Sequence, residues 1–144
     1  MALDPVVRTY DPKQQQLSIN GAIFTGFPDG TFMSVSTADS FEEREGADGT
    51  EERINKNSTG VTVEITLMKT SPTNDVLYAL EKLDRLTNLG KGPFLWKDTF
   101  GTGILSSSQA YIKKKADMEL GNSLGDVTWT IRCPQADFNP GSNL

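Results

Sequence analysis

Gly60-Val61-Thr62-Val63-Glu64-Ile65-Thr66-Leu67-Met68-Lys69 decides the fold class. Val61, Val63, Ile65 and Leu67 alternate with Thr62, Glu64, Thr66 and Met68. A period of two puts the aliphatic set on one side of a strand and the polar set on the other. Asp126 to Cys133 repeats the pattern, with Val127, Trp129, Ile131 and Cys133 against Thr128, Thr130 and Arg132. Two half-buried strands of this kind predict an antiparallel sheet with one wet face.

Working outward, the polar stretch up to Gln16, broken by Pro5 and Pro12, reads as an extended N-terminal arm, residues 1–16. Leu17, Ile19 and Ala22-Ile23-Phe24 read as a first strand or a broken pair of strands. Pro28-Asp29-Gly30 is a turn signature, because Pro presets φ and Gly accepts a positive one. With Thr31 to Ser36 after it, a hairpin is expected over Gly21–Thr37. Asp39 to Asn57 (DSFEEREGADGTEERINKN) is dense in charge, with little for a core, and reads as a long polar loop or a hairpin turning at Ala47-Asp48-Gly49.

One helix is predicted, about Asp75 to Leu89, capped by Thr73 or Asn74 and stopped by Gly90. Val76, Leu80, Leu83 and Leu86, flanked by Leu77 and Ala79, form its apolar stripe, expected in the core. Phe94 to Asp98 and Gly103 to Lys114 read as further strands, the second ending in Lys113-Lys114-Lys115. The segment from Pro134 reads as a loose C-terminal arm, residues 134–144. The sum is a mainly β chain, an antiparallel sandwich or barrel with one flanking helix. At 144 residues it has the size of one domain and should bury roughly two-thirds of its unfolded surface.

Composition narrows the function. The apolar fraction is 36%, against roughly 45–50% (glycine included) in an average globule. A thin domain with much wet surface, or a subunit lining a water-filled channel, has this balance. The net charge of −5 disfavours gripping nucleic acid, although it allows DNA to slide past. The single cysteine excludes an internal disulfide and favours a reducing cytoplasm. The start, Met1 to Pro5, has no signal-peptide pattern, and no run approaches the roughly 20 apolar residues of a membrane helix.

Chemistry is hard to find. The absence of histidine removes Ser–His–Asp and Cys–His catalysis and every imidazole metal site. Cys133 alternates with core residues, so it reads as core and not as a nucleophile. Glu42, Glu43, Glu45, Asp48, Glu51 and Glu52 are interleaved with Arg44 and Arg53, and only Phe41 lies near, which is the pattern of a solvated or partner-facing surface. They do not match an EF-hand spacing. Gly101-Thr102-Gly103 has no βαβ context for a dinucleotide. No cofactor is expected. Lys113, Lys114 and Lys115 are expected to pair with acidic groups of a neighbour, and the acidic loop is complementary to them. The expectation from the residues is a self-assembling structural chain. The alternatives are a sandwich or barrel that binds a small ligand or glycan, and, less well supported, an enzyme.

Tyr10-Asp11-Pro12-Lys13, Gly26-Phe27-Pro28-Asp29-Gly30-Thr31-Phe32, Gly46-Ala47-Asp48-Gly49 and Thr70-Ser71-Pro72-Thr73-Asn74-Asp75, in that order, resemble the tail tube proteins of contractile-tailed bacteriophages. The family is related to the tubes of type VI secretion and of phage-like bacteriocins. The resemblance implies a sandwich or barrel with a flanking helix, six subunits to a ring, and rings stacked into a hollow tube that conducts DNA inside a contractile sheath. It implies as partners other copies of the chain, the sheath, terminator and baseplate or initiator proteins, with tape measure protein and DNA passing through the lumen. It implies a place in the virion after assembly in the host cytoplasm. On this reading Phe41, Glu42, Glu43, Arg44, Glu45, Asp48, Glu51, Glu52, Arg53 and Lys113–Lys115 make contacts between subunits or rings. Thr62, Glu64 and Thr66 face the lumen or the outside.

Overall fold

The computed structural model describes residue 7 and residues 10–123 and 125–142. Ten strands and one helix are arranged as β1 (Gln15–Ile19), β2 (Ala22–Ile23), β3 (Met33–Thr37), β4 (Phe41–Glu45), β5 (Glu51–Asn55), β6 (Val61–Met68), α1 (Thr73–Thr87), β7 (Gly92–Asp98), β8 (Ile104–Lys114), β9 (Asp126–Cys133) and β10 (Asp137–Asn139). The main sheet runs β2-β1-β7-β8-β9-β6-β3, with β10 also on β8, and β4-β5 stands apart as a two-stranded ribbon. Every pairing is antiparallel.

β6 and β9 lie side by side at the centre of one half, Val61 opposite Cys133 and Met68 opposite Asp126. As expected from the alternation, Val61, Val63, Ile65, Leu67, Val127, Trp129, Ile131 and Cys133 are all buried. The long strand β8 belongs to both halves: its first part pairs with β7 and β10, its last part with β9. The two halves therefore close on one core, to which Leu17, Ile19, Phe94 and Leu105 come from one side and the β6 and β9 residues from the other. A bulge near Lys113 is needed where β8 leaves the core. Ile112 pairs with Ile131 and Lys114 with Thr130, so one extra residue keeps both lysines out of the apolar layer.

The expected Gly21–Thr37 hairpin does not form. β2 pairs with β1 and β3 with β6, at opposite edges of the sheet. The turn of the first pair is Asn20-Gly21, with φ of 50° and 85°, the left-handed geometry a two-residue hairpin requires. The segment after Ile23 crosses between the halves instead of turning back. Phe24 is buried, its N–H donates to Leu17 O (2.9 Å), and Gly26 O accepts from Met68 N–H (2.9 Å). Gly26 has φ of 78° and touches Ser71 so closely that a Cβ would lie 2.6 Å from Ser71 Cβ.

The helix starts and stops two residues earlier than expected. Neither Thr73 nor Asn74 caps it. Ser71 Oγ accepts from Thr73 N–H (3.2 Å), while Asn74 ties the helix to the sheet, donating to Met68 O (3.0 Å) and accepting from Trp129 Nε1 (3.0 Å). Asn88, at φ of 58°, ends it ahead of Gly90. The stripe is only partly core: Leu77 and Leu80 are buried, but Val76, Leu83 and Leu86 are exposed. The C-terminal segment is not a loose arm. Ala136 is buried, β10 pairs with β8, and Phe138 packs against Trp96. At the other terminus β1 takes over at Gln15 after a short 3-10 turn, Pro12–Gln14, and half of the expected arm, residues 1–6, 8 and 9, lies outside the described residues.

Candidate functional site

The β4–β5 ribbon projects from the body with every strand residue exposed. A lone pair of strands is marginal in water, and this one is held by its own short-range contacts. Glu43 stands opposite Arg53 and Arg44 opposite Glu52, charge against countercharge. The Arg53 guanidinium lies 4.3 Å above the Phe41 ring. At the turn, Asp48 Oδ1 accepts from Thr50 N–H (3.0 Å), and the hydrogen bonds from Thr50 hold its carboxyl below the usual carboxylate range. The tip is different from the stem: Glu45 faces Glu51, like against like, beside Asp48. The three ion pairs found among the described residues all lie elsewhere.

The lysine run sits far from this ribbon. Lys114 Nζ pairs with Asp117 (2.9 Å), Lys115 Nζ with Glu81 (3.7 Å), and Lys113 is exposed at the bulge. The ribbon leaves the sheet where Thr37, Val61 and Cys133 align. β8 runs toward the other end, past Thr130 toward the level of Asp126 and Met68. The lysine run thus begins level with Glu64, mid-sheet, and continues away from the ribbon's root.

Thr62, Glu64 and Thr66 share the wet face of the sheet with residues that the sequence reading did not assign to it. Ser36 is opposite Thr62 and Ser34 opposite Glu64 on one side; Arg132, Thr130 and Thr128 follow on the other. Thr66 Oγ1 and Thr128 Oγ1 are 3.0 Å apart, and Arg132 Nη1 donates to Thr62 Oγ1 (3.1 Å). The β9 alternation already contained Thr128, Thr130 and Arg132; Ser34 and Ser36 were hidden by the assumed hairpin. The second missed surface is on α1, where Val76 and Leu83, with Ala22 of β2, border a groove of about 240 Å³ beside the exposed Ile23.

A larger groove of about 540 Å³ is walled by Tyr10, Phe32 and Trp96. The Trp96 indole N–H is already committed to Gln15 Oε1 (2.9 Å). Among the described residues no group of three or more His, Cys, Asp or Glu side chains could hold a metal ion, and no helix is long and apolar enough to cross a membrane. Cys133 is buried, and that burial pushes its thiol up to about 12, far from a reactive thiolate.

No family model matches the chain. Structural protein ORF10 of Pseudomonas phage KPP10 is 33% identical over 144 residues, covering 94% of this chain and 83% of that protein. Among solved structures, a chain of the anti-feeding prophage cap, the tube-terminating cap, matches at TM-score 0.62 and 11% identity, over 95% of this chain and 96% of its own. A chain of the native gene transfer agent virion matches at 0.61 and 12%, over 91% and 99%. A chain of the sheath/tube terminator of the extracellular contractile injection system PVC, in its extended state, matches at 0.61 and 13%, over 94% and 99%. These likenesses carry the fold, mainly β with one helix, and the identity to ORF10 carries the family. The chain belongs to the family of phage structural proteins that includes ORF10 of phage KPP10, and is a structural component of a virion and not an enzyme.

Proposed function

We propose that the chain is the tail tube subunit of a contractile phage tail: six copies form a ring, and rings stack into a hollow tube that conducts DNA inside a sheath. The observation that carries the reading is the two-sided β3–β6–β9 layer with its open edge. One side is core; the other presents Ser34, Ser36, Thr62, Thr66, Thr128 and Thr130 around Glu64. Such a surface is wetted by water, Glu64 on it repels phosphate, and its two cations are engaged, Arg132 with Thr62 and Lys114 with Asp117. Among the described residues β3 is paired on one side only, so a neighbour's strand can extend the sheet, and a closed ring removes the exposed edge. The sheath, terminator, baseplate or initiator and tape measure proteins are the partners this role requires.

A second reading is favoured by a specific observation. Two of the structures with this fold are a tube-terminating cap and a sheath/tube terminator. A chain in that role would end a tube and not extend one. Negative-stain microscopy of the purified protein separates the two. Long hollow tubes on the order of 100 Å wide support the subunit, by the size of several such domains in a ring. Discrete rings that do not grow support the terminator. A strict monomer at high concentration overturns both.

A further inference from the structure

The ribbon tip sets like charges against each other. Glu45 and Glu51 oppose each other beside Asp48, all are exposed, and among the described residues none has an ion-pair partner. Directly opposed like charges destabilise a strand pair, and a positive surface set against the tip would relieve that repulsion.

The same chain carries a matching surface. Around Tyr78, on α1, lie Lys82 Nζ at 6.0 Å and Lys115 Nζ at 5.6 Å from the ring centre. Glu81 is within reach of both Lys115 (3.7 Å) and Arg85 (3.6 Å). Arg85 and Lys115 thus share one carboxylate, Glu81, and Lys82 adds a third cation beside Tyr78. The nearby Asp84 is turned to the helix end, where it accepts from Gly90 N–H (3.2 Å). Tyr78, Arg85 and Lys115 remain open to solvent.

Position decides which copy can fill the site. The ribbon emerges at the Thr37–Val61–Cys133 end of the sheet, and α1 begins just after Met68, at the other. A chain with a plug at one end and its socket toward the other makes contacts between unlike surfaces, and these repeat from copy to copy. We infer that the ribbon tip of one copy, Glu45, Asp48 and Glu51, seats on the Tyr78–Lys82–Arg85–Lys115 cluster of a second copy, a head-to-tail contact that gives the assembly a polarity. This rests on the self-assembly reading above and names the surfaces that meet.

The test uses two single-cysteine additions, Glu45→Cys in one preparation and Lys82→Cys in another, with the native Cys133 buried and silent. Mixed under assembly conditions and treated with a short bis-maleimide, they should give the 45–82 heterodimer well above either homodimer. No heterodimer, or equal yields of all three pairings, overturns the inference. Charge reversal gives an independent readout. E45K/E51K should lower the pelleted fraction at low salt about tenfold, and adding K82E/R85E to the same chain should restore most of it. A four-fold variant that assembles no better than the two-fold one overturns the contact. Tubes that form without a 45–82 cross-link leave the subunit reading standing and sink only this inference. A monomer without cross-links sinks both.

Discussion

Replacing Gly26 by alanine tests the crossover that joins the two halves. Gly26 has φ of 78°, which costs an L-residue about 1–2 kcal/mol. The new methyl would lie 2.6 Å from Ser71 Cβ, 2.7 Å from its Oγ and 3.1 Å from its Cα, where carbon contacts normally settle near 3.5–4.0 Å. Ser71 must therefore retreat by about 1 Å. It cannot do so freely, because its Oγ donates to Thr25 O and accepts from Thr73 N–H at the start of α1. Overpacking of this kind adds about 1–3 kcal/mol, for a total of roughly 2–5 kcal/mol. Gly30→Ala is the control: its φ is 101°, but nothing lies within 4 Å, so only the conformational cost remains. Urea unfolding of dilute, unassembled protein measures both at unchanged slope. If Gly26→Ala loses no more than Gly30→Ala, the close approach to Ser71 is not what fixes the crossover.

Deleting Glu43–Glu52 should leave a folded monomer with nearly unchanged melting temperature, since those residues are exposed and their strand pairing stays within the ribbon, while assembly is lost; normal tubes from this deletion would refute the ribbon's role. Gly21→Val places a β-branched residue at φ of 85° in open space and should cost about 1–2 kcal/mol in chemical denaturation, with a loss under about 0.3 kcal/mol counting against the two-residue turn. The Cys133 thiol is pushed up to about 12 by burial, whereas an unfolded thiol ionises near about 8.5. Above that value the unfolded chain releases a proton that the native chain keeps, so stability should fall with rising pH by up to about 1.4 kcal/mol per unit, and Cys133→Ala should remove that slope.

The two central strands were legible because each has one wet and one dry face, which writes a clean alternation into Val61–Met68 and Asp126–Cys133. Helix existence was legible too, but not its environment. Leu77 and Leu80 reach the core, while Val76, Leu83 and Leu86 stay open, since periodicity reports amphipathicity and not what covers the apolar side. The edge strands were misread for a related reason. β3 finds its partner in β6, some thirty residues on, and local turn chemistry at Pro28-Asp29-Gly30 carries no information about that. Asn20-Gly21 was the stronger hairpin signal, and it closes β1 on β2. The C-terminal strand escaped notice because three residues, Asp137–Asn139, are too short for a period to show. Of the candidate surfaces, the acidic ribbon and the lysines were visible as composition; that the lysines begin level with Glu64, beyond the ribbon's root, follows only from strand register.

The shared strand β8 has a mechanical meaning. Because one unbroken backbone carries hydrogen bonds to β7 and β10 along its first part and to β9 along its last, neither half can slide without dragging the other. Force applied along β8 loads several transverse hydrogen bonds at once, in shear, and does not peel them open singly. The antiparallel bonds of both halves thus act in series with a covalent chain. The short outer strand β2 has no such double anchorage, since two register pairs alone join it to β1.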